Sequence, residues 1–517
     1  MPVTTTYPGI YIQELPSNSH VITGAPTSVT VFVGYTHPFK TDPLNFGKAI
    51  EIFSFTDYER NFGGLYTSGV IESHVAYAVN QFFLNGGSVA WVVALSPSYY
   101  DAGGASQGPV TASSLTVGPV AFTALEPIDL IPMTVTINNV QTTFLANDTA
   151  DVTISYGSKA ETFRKVNLNS ADANFIGTAI NGVSQLVTVT TSAATGLTAV
   201  GQAALGFAPG TGPQASWTAF SAADFAPVFQ QDSSLDKVPI FNLLLVPGVA
   251  DNGIWSEALA FCERKLAFVI LDPPAQDSAD GAGSAHLPLI GDDIDLLVPK
   301  STNGALYFPY IQSNDPLTGK TIHLPPSGSV AGIYSKEDTN RGVWKAPAGL
   351  ETTILDTTGV VETGDMTDMR HGTLNPKGVN CLRDFTGIGT VVFGARTLVT
   401  ANPAFQQWRY VPVRRMALFL EQSLRDNLTW VTFEPNDEPL WVAIRATIES
   451  FMLSLFHQGA FQGSTPSKAF QVLCDASTTT QQDIDNGVVN IIVAFAPLKP
   501  AEFVVIKIAQ LAGQTQA

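Results

Sequence analysis

Charged residues are scarce in this chain of 517 residues. They make up 14% of it, against about 25% in an average soluble protein, while hydrophobic residues make up 45%. The 44 acidic and 26 basic residues leave a net charge of −18, and no run of basic residues occurs. Because nucleic acids and anionic membrane surfaces are bound by clustered Lys and Arg, the composition argues against both as partners.

Cysteine is scarce as well, and Cys262, Cys381 and Cys474 are far apart in the sequence. Their spacing predicts neither a disulfide framework nor a zinc site, and it is typical of folding in a reducing cytoplasm. The seven histidines show no H-x3-H or H-E-x-x-H spacing. The sequence therefore predicts no metal site and no cofactor.

Export and membrane signals are missing too. The first 16 residues, MPVTTTYPGIYIQELP, lack the basic start and the apolar stretch of a signal peptide. No apolar run approaches the roughly 20 residues that a membrane helix needs. We therefore expect a protein made in the cytoplasm without Sec export, and no direct membrane insertion.

What the sequence does contain is an α/β pattern in two separated parts. Its length predicts two to four domains, because a single hydrophobic core seldom grows beyond about 300 residues. One β–α–β unit lies within residues 21–95, and a second lies within residues 236–400, with strands predicted at 239–246 and 266–272. Because these strands are apolar throughout, they predict a parallel sheet that is covered on both faces.

Residues 96–235 separate the two parts of this core. They are rich in Thr, Ala, Gly, Ser and Val, and they contain short alternating segments such as Met133–Ile137 and Leu186–Thr190. Such alternation is typical of strands with one buried face. The sequence therefore predicts a mainly-β domain inserted into the core, bounded by Gly/Ser/Pro-rich connections at 102–109 and 206–216.

A third region, residues 401–487, predicts an α+β domain. Apolar residues recur at helical spacing from Val413 to Leu424, and Trp430–Phe433 has the composition of a short strand. Asn436 is the predicted cap of a second helix at 440–457. The apolar residues of that helix also recur at helical spacing, which predicts one buried face.

The motifs in the second half of the chain resemble those of contractile tail sheath proteins of phages, R-type pyocins and extracellular injection systems. The matching pieces follow the order of that family: DTNRGVWKAPAG at 338–349, NPKGVNCLRDFTGIGTVVFGARTL at 375–398, W-x-Y-V-x-V-R-R at 408–415, F-E-P-N at 433–436, L-W at 440–441, and PAEFVVIKIAQ at 500–510. Each piece alone is weak evidence for the resemblance, but several pieces in the order of the family are strong evidence for it.

This resemblance implies a subtilisin-like α/β core, an inserted domain on the outside of a particle, and a structural role without catalysis. A sheath subunit would assemble as stacked hexameric rings around an inner tube and contract to drive that tube through a target envelope. The implied partners are further copies of the chain in a helical homo-oligomer, the inner tube protein, and baseplate and terminator or cap proteins. The implied location is a phage or a tail-like particle made in a bacterial cytoplasm.

Both chain ends have the pattern of extended arms. Residues 1–20 contain three prolines and an alternating segment, Ile10, Tyr11 and Ile12, which fits either an edge strand or a strand donated to a neighbouring subunit. Residues 488–517 contain a predicted terminal strand that is apolar on both faces, with Phe503, Val504, Val505, Ile506 and Ile508. Such a strand is prone to aggregation unless it is paired, and the resemblance implies pairing across subunits.

The resemblance also implies that a helix of the C-terminal domain faces the inner tube. The 440–457 helix carries Arg445 and Glu449 on its polar side and is the first candidate, with the 413–426 helix almost as suitable.

Two alternatives from other classes remain open at this point. A hydrolase on a subtilisin-like fold would need a serine triad, for which Asp272, His286 and Ser327 are the available residues. However, no G-x-S-x-G elbow occurs. A receptor- or glycan-binding particle protein would act through residues 96–235.

Overall fold

The computed structural model describes residues 20–71, 73–101, 105–141, 148–192, 196–206, 218–274, 298–361 and 366–507. Within these ranges the chain forms two compact units. The larger unit lies within Pro26–Arg341 and Lys345–Arg414, and the smaller one lies within Met1–Ala25, Gly342–Trp344 and Arg415–Ala517. The predicted mixed α/β fold is confirmed, whereas the predicted domain boundaries and the likeness to subtilisin stay predictions.

The strands are β1 (Thr30–Tyr35), β2 (Ala49–Ile52), β3 (Ala90–Leu95), β4 (Ser98–Tyr100), β5 (Ser106–Pro109), β6 (Ser114–Val117), β7 (Val120–Ala124), β8 (Met133–Asn138), β9 (Ala150–Tyr156), β10 (Lys159–Val166), β11 (Val187–Thr191), β12 (Val200–Ala204), β13 (Leu243–Leu245), β14 (Phe268–Leu271), β15 (Gly304–Phe308), β16 (Ile311–Asn314), β17 (Thr321–Leu324), β18 (Gly359–Val360), β19 (Val379–Phe385), β20 (Gly389–Val392), β21 (Phe470–Leu473) and β22 (Ile492–Phe495).

The α-helices are α1 (Phe55–Phe62), α2 (Val75–Leu84), α3 (Ile176–Ile180), α4 (Asn252–Lys265), α5 (Ser327–Arg341), α6 (Asp368–Leu374), α7 (Val411–Asn427), α8 (Glu438–His457), α9 (Pro466–Ala469) and α10 (Gln481–Asp485).

An eight-stranded sheet organises the larger unit, in the order β2-β3-β1-β13-β14-β15-β19-β20. Its six inner strands run parallel, and β2 and β20 pair antiparallel at the two edges. Every residue of β1, β13, β14 and β15 is buried. The sheet is therefore covered on both faces, as the continuous apolar runs of these strands predicted.

Helices α2 and α5 pack closely together beside this sheet. A side chain at Gly328 would meet the backbone oxygen of Ala78 at 2.4 Å, and one at Gly332 would meet the backbone oxygen of Phe82 at 2.7 Å. Glycine lowers helix propensity, but here it lets two backbones come closer than any side chain would permit. These two glycines, one turn apart, therefore fix the contact between the helices.

Strands β6 to β12 build the inserted β-rich region around its own hydrophobic core. One sheet has the order β10-β9-β8-β12 and the other the order β11-β7-β6, all antiparallel. In β9, buried and half-buried residues alternate along the whole strand. This alternation is what the sequence pattern predicted for strands with one covered face.

A buried polar cluster ties this region to the α/β sheet. Glu126 lies between His37 and Lys40; its Oε2 is 3.1 Å from His37 Nε2, and its Oε1 binds Lys40 Nζ. His37 Nδ1 accepts hydrogen bonds from the backbone N–H groups of Phe39 and Lys40, so the ring proton resides on Nε2 and is donated to Glu126. Burial lowers the pKa of His37, which keeps its ring neutral.

The smaller unit has a core between α7 and α8. It contains Met416 and Leu420 of α7 with Ile444, Ile448 and Met452 of α8. Asp437, rather than the predicted Asn436, caps α8, because its side chain accepts the N–H of Leu440. Asn436 instead accepts a hydrogen bond from the indole Nε1 of Trp441 at 2.9 Å.

The predicted strand Trp430–Phe433 is wrong. Thr429–Val431 forms a single 3-10 turn, and Phe433 has a φ of 71° with a fully exposed side chain. A left-handed residue cannot continue a strand, and no strand of the described ranges pairs with this short link between two packed helices. The helix-to-helix connection thus overrides the local β propensity of Trp, Val, Thr and Phe.

We predict that Glu126→Ala lowers the free energy of unfolding by about 3 kcal/mol, since it leaves a buried histidine and a lysine without their shared carboxylate. Glu126→Gln should cost less, because the amide oxygen still accepts from His37. Urea denaturation followed by tryptophan fluorescence measures both changes. The matched control is Glu51→Ala, which removes an exposed carboxylate in β2. Equal stability of the Glu126→Ala and Glu51→Ala variants would refute the role of the cluster.

Candidate assembly surface

The C-terminal half of the smaller unit ends in an open two-stranded sheet. Strands β21 and β22 pair antiparallel, with Phe470 opposite Phe495. In the part of the chain that the structure describes, no third strand joins them. Ile492 and Ala494 of β22 are exposed, whereas Val493 and Phe495 are half-buried. Because a two-stranded sheet is marginally stable alone, this sheet has hydrogen-bonding edges on which a further strand can add.

The predicted terminal strand lies just beyond this sheet. Phe503, Val504, Val505 and Ile506 are between 72% and 80% exposed, and the structure assigns them no strand. Ile508, the last residue of that prediction, lies outside the described residues. Four consecutive large apolar side chains in solvent are costly for a folded chain. This segment therefore has the composition of a strand, but within one subunit its side chains are as exposed as those of an unfolded chain.

At the other chain end, residues 20–25 run along α7. The backbone N–H of Thr23 donates to Asn427 Oδ1 at 3.2 Å, and Asn427 Nδ2 donates to the Thr23 carbonyl at 3.0 Å. His20 stacks on Trp430 with ring centroids 3.9 Å apart, and Ser423 Oγ accepts from the N–H of Ala25. The chain is thus anchored at these positions. The predicted contacts Ile10, Tyr11 and Ile12 lie outside the described residues.

The two polar residues singled out on α8 differ in their surroundings. Glu449 is exposed, whereas Arg445 is half-buried and donates to the backbone oxygen of Cys474 at 3.3 Å. The sequence did not single out Val442 and Leu453, which are also exposed on α8. The helical spacing of the buried residues places both outside the buried face, so their exposure could have been predicted from the sequence. The exposed side of α8 therefore combines apolar side chains such as Val442 and Leu453 with polar ones such as Glu449.

Helix α8 is long and apolar enough to cross a membrane by length and composition. Its apolar residues are used otherwise: Trp441, Ile444, Ile448, Phe451 and Leu455 lie on one side and are buried in the core of the smaller unit. Core helices commonly have such a composition. We therefore interpret α8 as a core helix with one exposed face.

Two of the three residues considered for a serine triad, Asp272 and Ser327, are bonded to each other in the protein interior. Ser327 is fully buried, and its Oγ donates to Asp272 Oδ2 at 2.6 Å. Asp272 also accepts the backbone N–H groups of Ser327 and Gly248. A nucleophilic serine has to be exposed and bonded to a base, so this pair instead fixes the start of α5 to the end of β14. His286 lies outside the described residues.

Groups of three or more His, Cys, Asp or Glu side chains suited to a metal ion are absent from the described ranges. The three cysteines are buried thiols, and burial raises the pKa of Cys262.

Two family models match consecutive parts of the chain. The model of the phage tail sheath protein central domain matches residues 235–398, and the model of the phage tail sheath C-terminal domain matches residues 404–510. Together these matches cover just over half of the chain. They include the α/β strands from β13 onwards and the whole of the candidate surface of α8, β21, β22 and the terminal segment.

Similar proteins and structures carry related descriptions. A Pseudomonas aeruginosa protein described as a prophage major tail sheath protein is 26% identical over 277 residues; the alignment spans 52% of this chain and 65% of that relative. A subunit in the cryo-EM structure of the anti-feeding prophage baseplate matches with a TM-score of 0.59 at 22% identity, over 98% of this chain and 99% of that one. The contracted PVC sheath complex of an extracellular contractile injection system matches with a TM-score of 0.59 at 21% identity, over 98% and 99% of the two chains.

The buried Asp272 predicts a pH dependence of stability. Burial raises its pKa to about 6, although the hydrogen bonds from Ser327 and Gly248 act in the opposite direction. A carboxyl whose pKa is raised in the folded state stabilises the fold when protonated, and this contribution is lost as the pH rises from about 4 through 6.

Relative to Asp272→Asn, the wild-type chain should therefore gain about 1 kcal/mol of unfolding free energy between pH 7 and pH 5. Urea titrations at the two pH values measure this difference, and all other titrating groups cancel because both proteins share them. Asp485→Asn, which removes an exposed carboxylate, should show no such pH-dependent difference. A constant difference between wild type and Asp272→Asn would contradict the raised pKa.

Proposed function

This chain belongs to the phage tail sheath family, and we propose that it is the structural subunit of a contractile sheath. In this proposal copies assemble as stacked hexameric rings around an inner tube, and contraction drives the tube through a target envelope. The observation that carries the proposal is that the smaller unit contains both an open two-stranded sheet and an exposed apolar segment. Each is incomplete alone, and a neighbouring copy supplies what is missing.

The proposed junction is a strand donated between subunits. Phe503, Val504, Val505, Ile506 and Ile508 would add to the β21–β22 sheet of an adjacent copy. The N-terminal arm, through Ile10, Tyr11 and Ile12, would add to the same mesh beyond its anchor at Thr23 and Asn427. Main-chain hydrogen bonds supply the affinity in such strand addition, and alternate side chains supply the register. Head-to-tail contacts of this kind close into rings or, where the rotation does not close, generate helical assemblies.

Contraction would then be a transition between two packings of identical subunits. The extended packing is kinetically trapped, and a free-energy difference of a few kcal/mol per subunit commits each copy to the contracted one. Because the arms bridge neighbours through main-chain bonds, the compact units can shift while the mesh stays joined. No nucleotide is needed for such a stored-energy device.

The inner tube is the proposed partner of the exposed face of α8. Glu449 would provide the charged contact, surrounded by Val442 and Leu453. Arg445, the second predicted residue, is held towards Cys474 and would have to release that bond to reach a partner. We propose the baseplate and terminator or cap proteins as the partners at the two ends of the cylinder.

The remaining parts of the proposal follow from the resemblance and the fold. We propose arms at 1–20 and 488–517, the second of which first pairs as β22 with β21 of its own subunit and is donated beyond that strand. We further propose a core of subtilisin-like type in two parts at 21–95 and 236–400, an outer domain at 96–235 and a sheath domain at 401–487. The role is non-catalytic, which is supported by the complete burial of Ser327. The particle is a phage or an injection system assembled in a bacterial cytoplasm.

The double variant Val504→Asp/Ile506→Asp should abolish tube formation while leaving the subunit folded, because two carboxylates cannot be desolvated in a strand junction. High-speed pelleting and negative-stain electron microscopy measure assembly, and circular dichroism checks the fold. The matched control is Leu130→Asp/Val183→Asp, which changes two exposed apolar residues in the inserted region. Normal tubes from the first variant would refute the strand junction, and loss of tubes only in the control would point to the inserted region.

Glu449→Lys should weaken co-sedimentation of preassembled sheath with the inner tube protein roughly tenfold, because it reverses the charge in the contact face. Arg445→Gln should have a smaller effect, since its guanidinium is already bonded within the subunit. Glu257→Lys, at an exposed position of α4, is the control with the same charge change. Equal tube binding by the Glu449→Lys and Glu257→Lys variants would exclude α8 as the tube-facing helix.

A further inference from the structure

A crevice of about 290 Å³ opens at the carboxyl ends of β1 and β13. The chain continues from β1 to β3 on one side of β1, and after the inserted region it returns as β13 on the other side. In open α/β sheets, this topological switch point is where ligands bind. The volume lies near the lower end of that of small-molecule sites. We call this cavity the switch-point crevice; the proposed sheath function does not use it.

One wall of the switch-point crevice is aromatic. Tyr35 and Phe220 both pack against Phe225, with ring centroids 5.9 Å and 5.8 Å from that of Phe225. Phe225 is fully buried, while Phe220 is partly exposed at the crevice. The faces of such rings carry partial negative charge and attract cations.

The charge around this wall is negative. Asp251 lines the crevice, and its Oδ1 caps α4 by accepting the N–H of Ile254 at 2.9 Å. Asp224 lies behind the aromatic wall, where it accepts the hydroxyl of Tyr35 at 2.7 Å. The described lining residues include no Lys or Arg. A carboxylate beside aromatic rings favours a positively charged group and disfavours an anion.

His74 completes the lining without adding charge. Its ring lies nearly perpendicular to that of Tyr310, with centroids 6.2 Å apart, and neither ring nitrogen has a hydrogen-bond partner among the residues that the structure describes. Burial lowers the pKa of His74 to about 4, so the imidazole is neutral at physiological pH. A neutral imidazole does not repel a cation, and its unprotonated nitrogen can accept a hydrogen bond from one.

We propose that the switch-point crevice binds a small organic cation, an alkylammonium or guanidinium group on a short apolar chain. The cation would lie between Phe220 and the carboxylate of Asp251 and donate to His74, while its apolar chain packs against Val75 and Val249.

The test titrates the full-length chain with n-butylammonium and with 1-butanol, which has the same shape and no charge. Saturation-transfer NMR at pH 7.5 gives the dissociation constants. We expect saturable millimolar binding of n-butylammonium and at least roughly tenfold weaker binding of 1-butanol. Equal binding of both probes, or saturable binding of neither, would overturn the proposal.

Two variants locate the site. Asp251→Asn keeps an effective helix cap but removes the charge, and Phe220→Leu keeps apolar volume but removes the ring. Each should raise the dissociation constant of n-butylammonium about fivefold. Asp437→Asn, at the corresponding cap of α8, should leave it unchanged. If the Asp251 and Phe220 variants bind as tightly as wild type while melting normally, the cation binds elsewhere and the proposal fails.

A further comparison separates a free ligand from a side chain of a neighbouring copy. Binding to both unassembled chain and pelleted tubes indicates a site for a free small molecule, as proposed. Binding to unassembled chain alone would show that assembly fills the crevice, and the proposal of a free small-molecule ligand would then be wrong.

Discussion

The hydrogen-bonded ladders of β1 hold the larger unit together. This strand pairs with β3 on one side and with β13 on the other, although β13 follows it by more than two hundred residues. Because all six residues of β1 are buried, neither ladder can open without exposing the sheet interior to water. The insertion of the β-rich region is tolerated for this reason: the chain leaves the sheet after β3 and returns at β13, and the ladders of β1 close the gap.

The smaller unit is stabilised differently, because its sheet of two strands is too small to be stable alone. Its helices α7 and α8 supply a core, and the anchor between Thr23 and Asn427 fixes one chain end to that core. The other end leaves β22 and exposes a series of apolar residues. The larger unit has a wide sheet whose central strands are buried within one chain, whereas the smaller unit has a two-stranded sheet and an exposed apolar segment at residues 503–506. That contrast supports the proposed assembly through the smaller unit.

Sequence patterns predicted β13 and β14 to within a few residues, because buried parallel strands leave apolar runs such as the one at 266–272. They also predicted α7 and α8.

Sequence patterns failed where the local structure depends on contacts between residues that are distant in sequence. The Gly- and Ser-rich start of α5 has low helix propensity, yet Gly328 and Gly332 are required there by the approach of α2. The bond between Ser327 and Asp272 joins residues far apart in the chain, and so does the lining of the switch-point crevice, so neither leaves a local signal. The proposed strand donation would involve a second copy of the chain, so a single sequence can indicate the arms but not their partners.

The tight hairpin between β9 and β10 has a practical consequence for engineering. Tyr156 and Lys159 close this turn, and Gly157 takes the left-handed conformation that the connection requires. Gly157 and Ser158 are exposed, and they lie in the inserted region, whose core is separate from that of the sheet. Foreign peptides or dyes attached at this loop would leave the two chain termini untouched. Fusions at either terminus would instead be attached to the smaller unit, through which assembly is proposed. The β9–β10 loop is therefore the better place for cargo display.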